Sequence, residues 1–600
     1  MKGKISSRLR IVIIILIVSI SLAAISFNSI ANMKNSCRKI TVMYKMKYLT
    51  HTPIRINSDS DFTSQNGVIG GNGTADNPYI IEGWEIDAHG EGSAIYIGNT
   101  TKYFIIRNCK LYNASYLSSP YFDGDGIILY KVANGKIVNC EIFDNEHNGI
   151  YLYISTHNNI ISNNNITNNS NHGIYLSSAY RNTIINNNIF NNDDGIYLLN
   201  GQHNKITSNN ITNNSNNGIF LRKSNSNTIS YNNIAYNSNG TYFGYSTYSN
   251  IVVNNNITNN NNGIYLARYS ADTTIKDNYF ANNKYGIHLY YSYNNIINNN
   301  SVFNTSAYCI WLWHTDSNTV TNNHITNNND NGIYLAYSDN NTISGNYIFN
   351  NDGDGIYVWA SRDNIITNNY IVHNNDYGIY ICSIESTNNQ IYNNTLIYNH
   401  GSDNFFNSSH VQAYDSGNNN KWNTSSGYGN YWHDWANNND TNDQNGDGIV
   451  DWPYSIEGLS CAKDRYPLKN RSFAVTPLPP TNLTANVGNG YVNLTWNAPI
   501  DNGGTDIIEY KIYRNETLIA TVSASHLWYN DTTVVIGQKY VYYVTAVNSI
   551  GESDRSNGVQ VTIGSVYEIQ AFALISGIIN AVLMFRFRKL YNIIFSTASR

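Results

Sequence analysis

Charge is scarce in this chain. Only 13% of its 600 residues are Asp, Glu, Lys or Arg, and the net charge is −5. A nucleic-acid partner would need clustered Lys and Arg to neutralise phosphates, and the negative net charge argues against that class of partner. The six cysteines, Cys37, Cys109, Cys140, Cys309, Cys382 and Cys461, form no C-x-x-C pair and no dense framework, which excludes a fold stapled by disulfides. Long stretches of apolar residues at i, i+3 and i+4 are missing between the terminal segments, which excludes a helical bundle. No phosphate-binding glycine loop, nucleophile elbow or paired zinc motif is present. What remains is 41% hydrophobic residues set among amides and hydroxyls, enough to build several domains.

One pattern dominates. Glycine followed by an apolar residue, an aromatic and a second apolar residue recurs at Gly126, Gly149, Gly173, Gly195, Gly218, Gly240, Gly263, Gly286, Gly332, Gly355 and Gly378, with Cys309 in the glycine's place. Successive intervals run from 22 to 24 residues. Each unit consists of short period-2 segments broken by Asn, Ser and Asp, too short to bury an apolar face alone, so it must stack on its neighbours. Three strands and three turns per unit predict a right-handed parallel β-helix with equivalent residues roughly 4.8 Å apart. The columns Ile127 to Ile379 and Leu129 to Ile381 then face inward, and the aromatic between them faces outward. Asparagine suits the corners, because it tolerates left-handed backbone and its amide can bond the copy above.

Taken in order, Lys2, Lys4, Arg8 and Arg10 precede an apolar stretch from Ile11 to Phe27, the pattern of an export signal. Residues 1–31 are read as a signal peptide, with Ser29-Ile30-Ala31 before the cut, or as a retained anchor. Sequons such as Asn72, Asn99, Asn113, Asn165, Asn210, Asn256, Asn304 and Asn493 would be glycan acceptors on an exported chain. Residues 50–125 read as an N-terminal cap with first coils, 126–400 as regular coils, and 401–470 as a C-terminal cap. Aligning IIRNCKL with KIVNCEI puts Cys109 beside Cys140 in adjacent coils, as a disulfide or as two stacked thiols.

The cap carries GYGNYWHDW, NGDGIVDWPY and DRYPL. With the coils, these elements resemble the β-helix domain named after NosD, a periplasmic protein of copper-site assembly, as found in archaeal cell-surface proteins. The resemblance spans roughly residues 50–470 and implies a fold and an extracytoplasmic setting. The donors argue against copper handling, since that ion wants clustered His, Cys or Met. Met1, Met33, Met43, Met46 and Met584 lie outside the coils, and His147, His157, His172, His203, His288, His314, His324 and His373 form no column. After VTPLPPTNL, residues 478–564 resemble a fibronectin type III domain, with Trp496 as core tryptophan and Tyr540 as corner tyrosine. Such modules serve as spacers or binding units. The apolar segment within 569–587, followed by Arg586, Arg588 and Lys589, reads as a C-terminal membrane anchor, the alternative being a peripheral helix.

Three groups of candidate site residues follow. Tyr290, Trp311, Trp313, Tyr334, Tyr357 and Trp359 form a dense outward strip suited to the flat faces of sugar rings, although aromatic ladders also stabilise parallel stacks by themselves. Asp443, Asn445, Asp447 and Asp451 alternate oxygen ligands around Gly448 as a calcium loop does, without the closing Glu; the alternative is a turn held by Asx bonds. Asp330, Asp352, Asp354 and Asp376 lie just before the glycines of successive coils, at spacings that bracket glycosidase carboxylate pairs, but Asp is also a corner residue. The expectation is an all-β chain, a parallel β-helix followed by a fibronectin type III β-sandwich with hydrophobic segments at both ends. It would be anchored at the cell surface as a structural or glycan-binding protein, its rival being a polysaccharide-degrading hydrolase or lyase.

Overall fold

The computed structural model describes residues 48–117, 124–436, 443–488 and 490–563. The hydrophobic segments at 1–31 and 569–587, and Cys37, lie outside the described residues. Among the described residues no helix is long and apolar enough to cross a membrane. The chain divides into two compact units at Asn341/Thr342.

In the first unit each coil contributes three strands, such as Ile174–Ser177, Thr183–Ile185 and Asn188–Phe190. Each pairs in parallel with its counterpart one coil on, Ile174 opposite Ile196, Ile184 opposite Ile206 and Ile189 opposite Ile211. The result is a right-handed solenoid of three sheets whose strand order steps through the sequence by threes. Ile127, Leu129, Ile174, Leu176, Ile264 and Leu266 are fully buried, as the period of two requires. The three asparagines of a corner divide the work. Asn163 takes a left-handed backbone at φ 56° and turns the chain. Asn164 is buried and gives its Nδ2 to Asn187 Oδ1 at 2.9 Å. Asn165 is exposed and accepts from Asn188 Nδ2, also at 2.9 Å.

The repeating glycine is required by close approach. A Cβ built on Gly195 would lie 2.5 Å from Ile211 Cγ2 and 2.6 Å from the Gly218 carbonyl oxygen. Where Cys309 takes this place the coils spread. Its N–H reaches Asn331 O at 3.4 Å, and Ile310 N–H reaches Gly332 O at 3.2 Å. The equivalent bonds of Gly173 and Ile174 are 2.9 and 3.0 Å.

The second unit continues with strands of the same kind, among them Tyr347–Phe349, Ile356–Trp359, Tyr370–Val372 and Thr395–Ile397. Its coils close on a cap built around aromatic rings and buried carboxylates. Trp432 stacks on Tyr454 with centroids 4.0 Å apart. Asp415 accepts from Trp422 Nε1 at 2.8 Å, and Asp464 accepts from Trp432 Nε1 at 2.9 Å and from the Asn430 N–H at 2.6 Å. Asp434 accepts from Gln412 Nε2 at 2.6 Å and from the Tyr454 hydroxyl at 3.2 Å.

Burial pushes the carboxyls of Asp434 and Asp464 up to about 6 from 3.8. Folding therefore raises their proton affinity, a contribution to stability that is full below about pH 4 and lost as pH rises through about 6. The denaturation midpoint of the cap, followed by tryptophan fluorescence, is expected to fall between pH 4 and pH 7. Asp464→Asn should flatten that slope, and an unchanged slope would show that Asp464 does not titrate in this range.

Residues 481–562 form a β-sandwich. One sheet holds Thr481–Gly488, Tyr491–Asn497 and Trp528–Asp531, and the other Thr517–Ser523, Glu509–Arg514, Lys539–Val547 and Val559–Thr562. Trp496 is buried in its core with Leu494, Ile512 and Val544. The Tyr540 hydroxyl accepts the Val535 N–H at 3.1 Å, tying the corner. The proline-rich joint before it is fixed. Leu478 is fully buried with Tyr370, Val372, Ile397 and Tyr431 of the coils and cap, and Val475 N–H bonds Gly503 O at 2.9 Å.

Candidate functional site

The outward aromatic column of the first unit is a continuous stack. Tyr151 faces Tyr175 at 4.7 Å and 3°, Tyr175 faces Tyr197 at 5.0 Å and 5°, and Tyr197 faces Phe220 at 4.6 Å and 11°. Tyr242, Tyr265 and His288 continue it. Rings packed in this way spend both faces on each other and show only edges to solvent, so a sugar has no face to lie on along most of the ladder. His288 is held between Tyr265 and Trp311, the latter at 4.0 Å and 8°. Burial lowers its imidazole to about 3, so it is neutral.

The stack ends at Trp311. The next ring in the column, Tyr334, meets it edge-on at 6.3 Å and 61°, and stacks instead on Tyr308 at 4.6 Å. Trp313, two residues along the same strand, lies nearly parallel to Trp311 at 5.1 Å and 14°, with Tyr290 edge-on to it at 5.4 Å. Both indoles are half-buried. The structure thus brings Tyr290, Trp311 and Trp313 together as a broad aromatic surface, with Tyr334 at its edge. In the second unit Tyr357 is tilted against Tyr380 at 5.2 Å, and Trp359 is 37% exposed.

Asp354 is a corner residue. It is buried, and its Oδ1 accepts the Tyr377 N–H of the following coil at 2.9 Å. Asp125 does the same for Asn148, and Asp194 for Asn217. Asp330 accepts the N–H of Asn331 at 2.8 Å, while Asp352 and Asp376 are exposed. In the column before each glycine, Asp125, Asp194 and Asp354 thus each accept from the residue one coil on.

The loop at Asp443 is knit by Asx bonds. Asp443 accepts the N–H groups of Gly446, Asp447 and Gly448 at 2.7, 3.0 and 2.8 Å. Asn445 Oδ1 accepts from Asp447 N–H, and Asp451 Oδ2 accepts from Gln444 N–H at 2.9 Å. Beside it is a shallow cleft of about 420 Å³ lined by Gln444, Asn445, Asp451 and Trp452. Cys109 and Cys140 are buried thiols in adjacent coils, not a disulfide.

The sequence did not point to a second cleft in the cap, of about 710 Å³, lined among others by Lys421, Lys463 and Arg465. Alternation creates it. Asp464 points inward to Trp432, so Lys463 and Arg465 point out, and Lys421 is exposed beside the inward Trp422. No short motif announces it, because Lys421 is far in sequence from the other two.

Family models match three stretches of the chain. Residues 54–203 and 179–325 match the right handed beta helix region, 281–436 the periplasmic copper-binding protein (NosD), and 478–562 the fibronectin type III domain. An amylopullulanase of Thermoanaerobacter thermohydrosulfuricus is 40% identical over 92 residues, 14% of this chain and 6% of that protein. The chain therefore spans a small fraction of the length of that curated relative. An Fn3-like protein from Clostridium thermocellum is 32% identical, covering 15% of this chain and 98% of that one, with a TM-score of 0.13. A beta-1,2-glucanase from Parabacteroides distasonis is 24% identical, covering 17% and 15%, with a TM-score of 0.14. Likenesses at such TM-scores carry no functional argument.

The donors in the stretch matched by the copper-binding model do not fit copper. His288 is locked between two rings, His314 is stacked between Tyr291 and Tyr337, and Cys309 is fully buried. No methionine lies between Met46 and Met584. Among the described residues of this stretch no three such donors converge, His400 and His410 meeting only as a pair with ring centroids 5.9 Å apart.

Proposed function

We propose that this chain, a right-handed β-helix region followed by a fibronectin type III domain, is an exported, membrane-anchored protein of the cell surface that acts as a rigid, non-catalytic, glycan-binding scaffold. One observation carries the glycan reading: the self-stacked aromatic ladder ends at Trp311, beside which Trp313, Tyr290 and Tyr334 spread a half-buried aromatic surface. Sugar rings present apolar C–H faces that suit such a surface, while Asn and Ser side chains on the coils offer partners for their hydroxyls. The scaffold reading is supported by the fixed joint between coils and sandwich. In the second unit, Tyr357 and Trp359 are proposed as contacts of their own with envelope glycans. The hydrophobic segments at 1–31 and 569–587 are proposed as the export signal and the anchor. The Asp443, Asn445, Asp447 and Asp451 loop is proposed as a calcium loop, supported by its alternating oxygens and by Gly446 and Gly448 at φ 74° and 84°.

The test is retention of the full chain on a polysaccharide panel, read together with release of reducing or unsaturated ends. Trp311→Ala with Trp313→Ala is expected to weaken retention at least tenfold without product appearing in either protein. Product release abolished by Asp354→Asn would establish the degrading enzyme instead, and absence of retention on every polysaccharide would remove the glycan reading.

A further inference from the structure

Beside the aromatic ladder, at a corner of the first unit, His172, Asp193 and Asp194 each offer one ligand atom, all within 4.8 Å of one another. The repeat creates this meeting. His172 precedes Gly173 and Asp194 precedes Gly195, so the two stand in the same column one coil apart, and Asp193 adds its carboxylate from the neighbouring position. His172 Nδ1 lies 3.1 Å from Asp194 Oδ2. Two ligands about 2.1 Å from one ion, at angles between octahedral and tetrahedral, stand about that far apart. The contact lacks hydrogen-bond alignment, since Nδ1 is buried without a hydrogen-bond partner. Such an orphaned nitrogen, facing an oxygen it does not bond, calls for an explanation.

The surroundings hold all three ligands in place. Asp194 Oδ1 accepts the N–H and the Nδ2 of Asn217 at 3.0 and 2.7 Å, which turns Oδ2 toward the imidazole. Asp193 Oδ1 accepts from Ser215 Oγ at 3.0 Å. The ring of His172 is set edge-on between Tyr175 and Tyr197, at 5.3 and 4.8 Å. These contacts act as the outer partners that orient ligands in metal sites.

We propose that His172 Nδ1, one oxygen of Asp193 and Asp194 Oδ2 bind a zinc ion that clips two successive coils together and leaves a fourth position open to water or a sugar hydroxyl. One neutral imidazole with two carboxylates supplies a charge of −2 and the mixed nitrogen and oxygen donors that zinc accepts. Calcium and magnesium favour oxygen alone, and copper(I) favours sulfur. This site goes beyond the glycan reading and stands without it.

The test uses the full chain after chelator treatment, titrated with zinc chloride by calorimetry, with cobalt(II) chloride as a visible-absorption probe of the coordination. One zinc equivalent is expected at this site, weakened at least tenfold by His172→Ala and by Asp193→Asn. The cobalt bands should be lost in the same two variants. Melting without metal is compared among the proteins, so that loss of binding is separated from loss of fold; Asp193→Asn keeps the Ser215 acceptor and serves if His172→Ala unfolds. Absence of zinc binding, binding that survives both substitutions, or equal displacement by calcium would overturn the proposal, leaving a His172 and Asp194 contact between coils.

Discussion

Asn209→Ala should destabilise the solenoid by about 4 kcal/mol or more, whereas Asn210→Ala, one residue along, should cost less than about 0.5 kcal/mol. Asn209 is buried, and its amide serves three coils. Its Nδ2 donates to Ile184 O, Thr207 O and Asn232 Oδ1, each at 3.0 Å. Its Oδ1 accepts the N–H and Nδ2 of Asn187 at 2.9 and 3.0 Å. Alanine strips the buried Asn187 N–H of its acceptor and takes a donor from the carbonyls of Ile184 and Thr207, while Asn187 Nδ2 keeps Ile161 O and Ile185 O; each of the three groups costs roughly 1–3 kcal/mol. Asn210 makes the same kind of amide contact, to Asn188 Oδ1 at 2.8 Å, but on the exposed side, where water replaces it. Asn209→Asp should be no milder than alanine, because a second oxygen would face three acceptors. Urea denaturation with hydrogen exchange is the measurement, and protection should drop in the coils next to Asn209 first, since each coil contacts only its neighbours. Equal costs at 209 and 210 would show that the buried ladder does not hold the stack.

This contrast also shows what was legible beforehand. The coil period, the inward Ile and Leu columns and the outward aromatics follow from spacing and alternation. In a run such as Asn163-Asn164-Asn165, by contrast, three identical letters conceal a turn, a buried ladder and an exposed ladder, which only the backbone separates. The aromatic column was visible, but not that its rings cover one another's faces until Trp311. Asp354 was read as a corner or a catalytic acid, and its bond to the Tyr377 N–H is set by the next coil. The His172 and Asp194 meeting depends on a column shared by Asn, Asp, Tyr and His. The cap cleft joins Lys421 to Lys463 and Arg465, which are distant from it in sequence, with no periodic pattern to follow. Sequence periodicity reports faces; it does not report what fills them.

Asp501→Ala should undo the attachment of the sandwich to the cap, at a cost of about 3–5 kcal/mol, the range for stranding one partner of a buried ion pair. Arg471 forks onto Asp501, with Nη1 to Oδ2 at 2.9 Å and Nη2 to Oδ1 closer still. Their side chains are 13% and 5% exposed. The same guanidinium donates to the Tyr370 hydroxyl at 3.2 Å and lies near the rings of Tyr370 and Tyr431, so one side chain ties coil, cap and sandwich. Removing the carboxylate leaves a buried cation whose remaining partners are neutral. Limited proteolysis across residues 470–480 should then quicken, while the sandwich itself, reported by Trp496, keeps its own melting transition. Replacing both partners, Arg471→Met with Asp501→Leu, should recover most of the loss, because an apolar pair of similar volume carries no desolvation penalty. A double variant as weak as Asp501→Ala would show that the pair's own attraction, and not the stranded cation, sets the loss. A single variant with wild-type proteolysis would mean that the ion pair contributes nothing to holding the module in place.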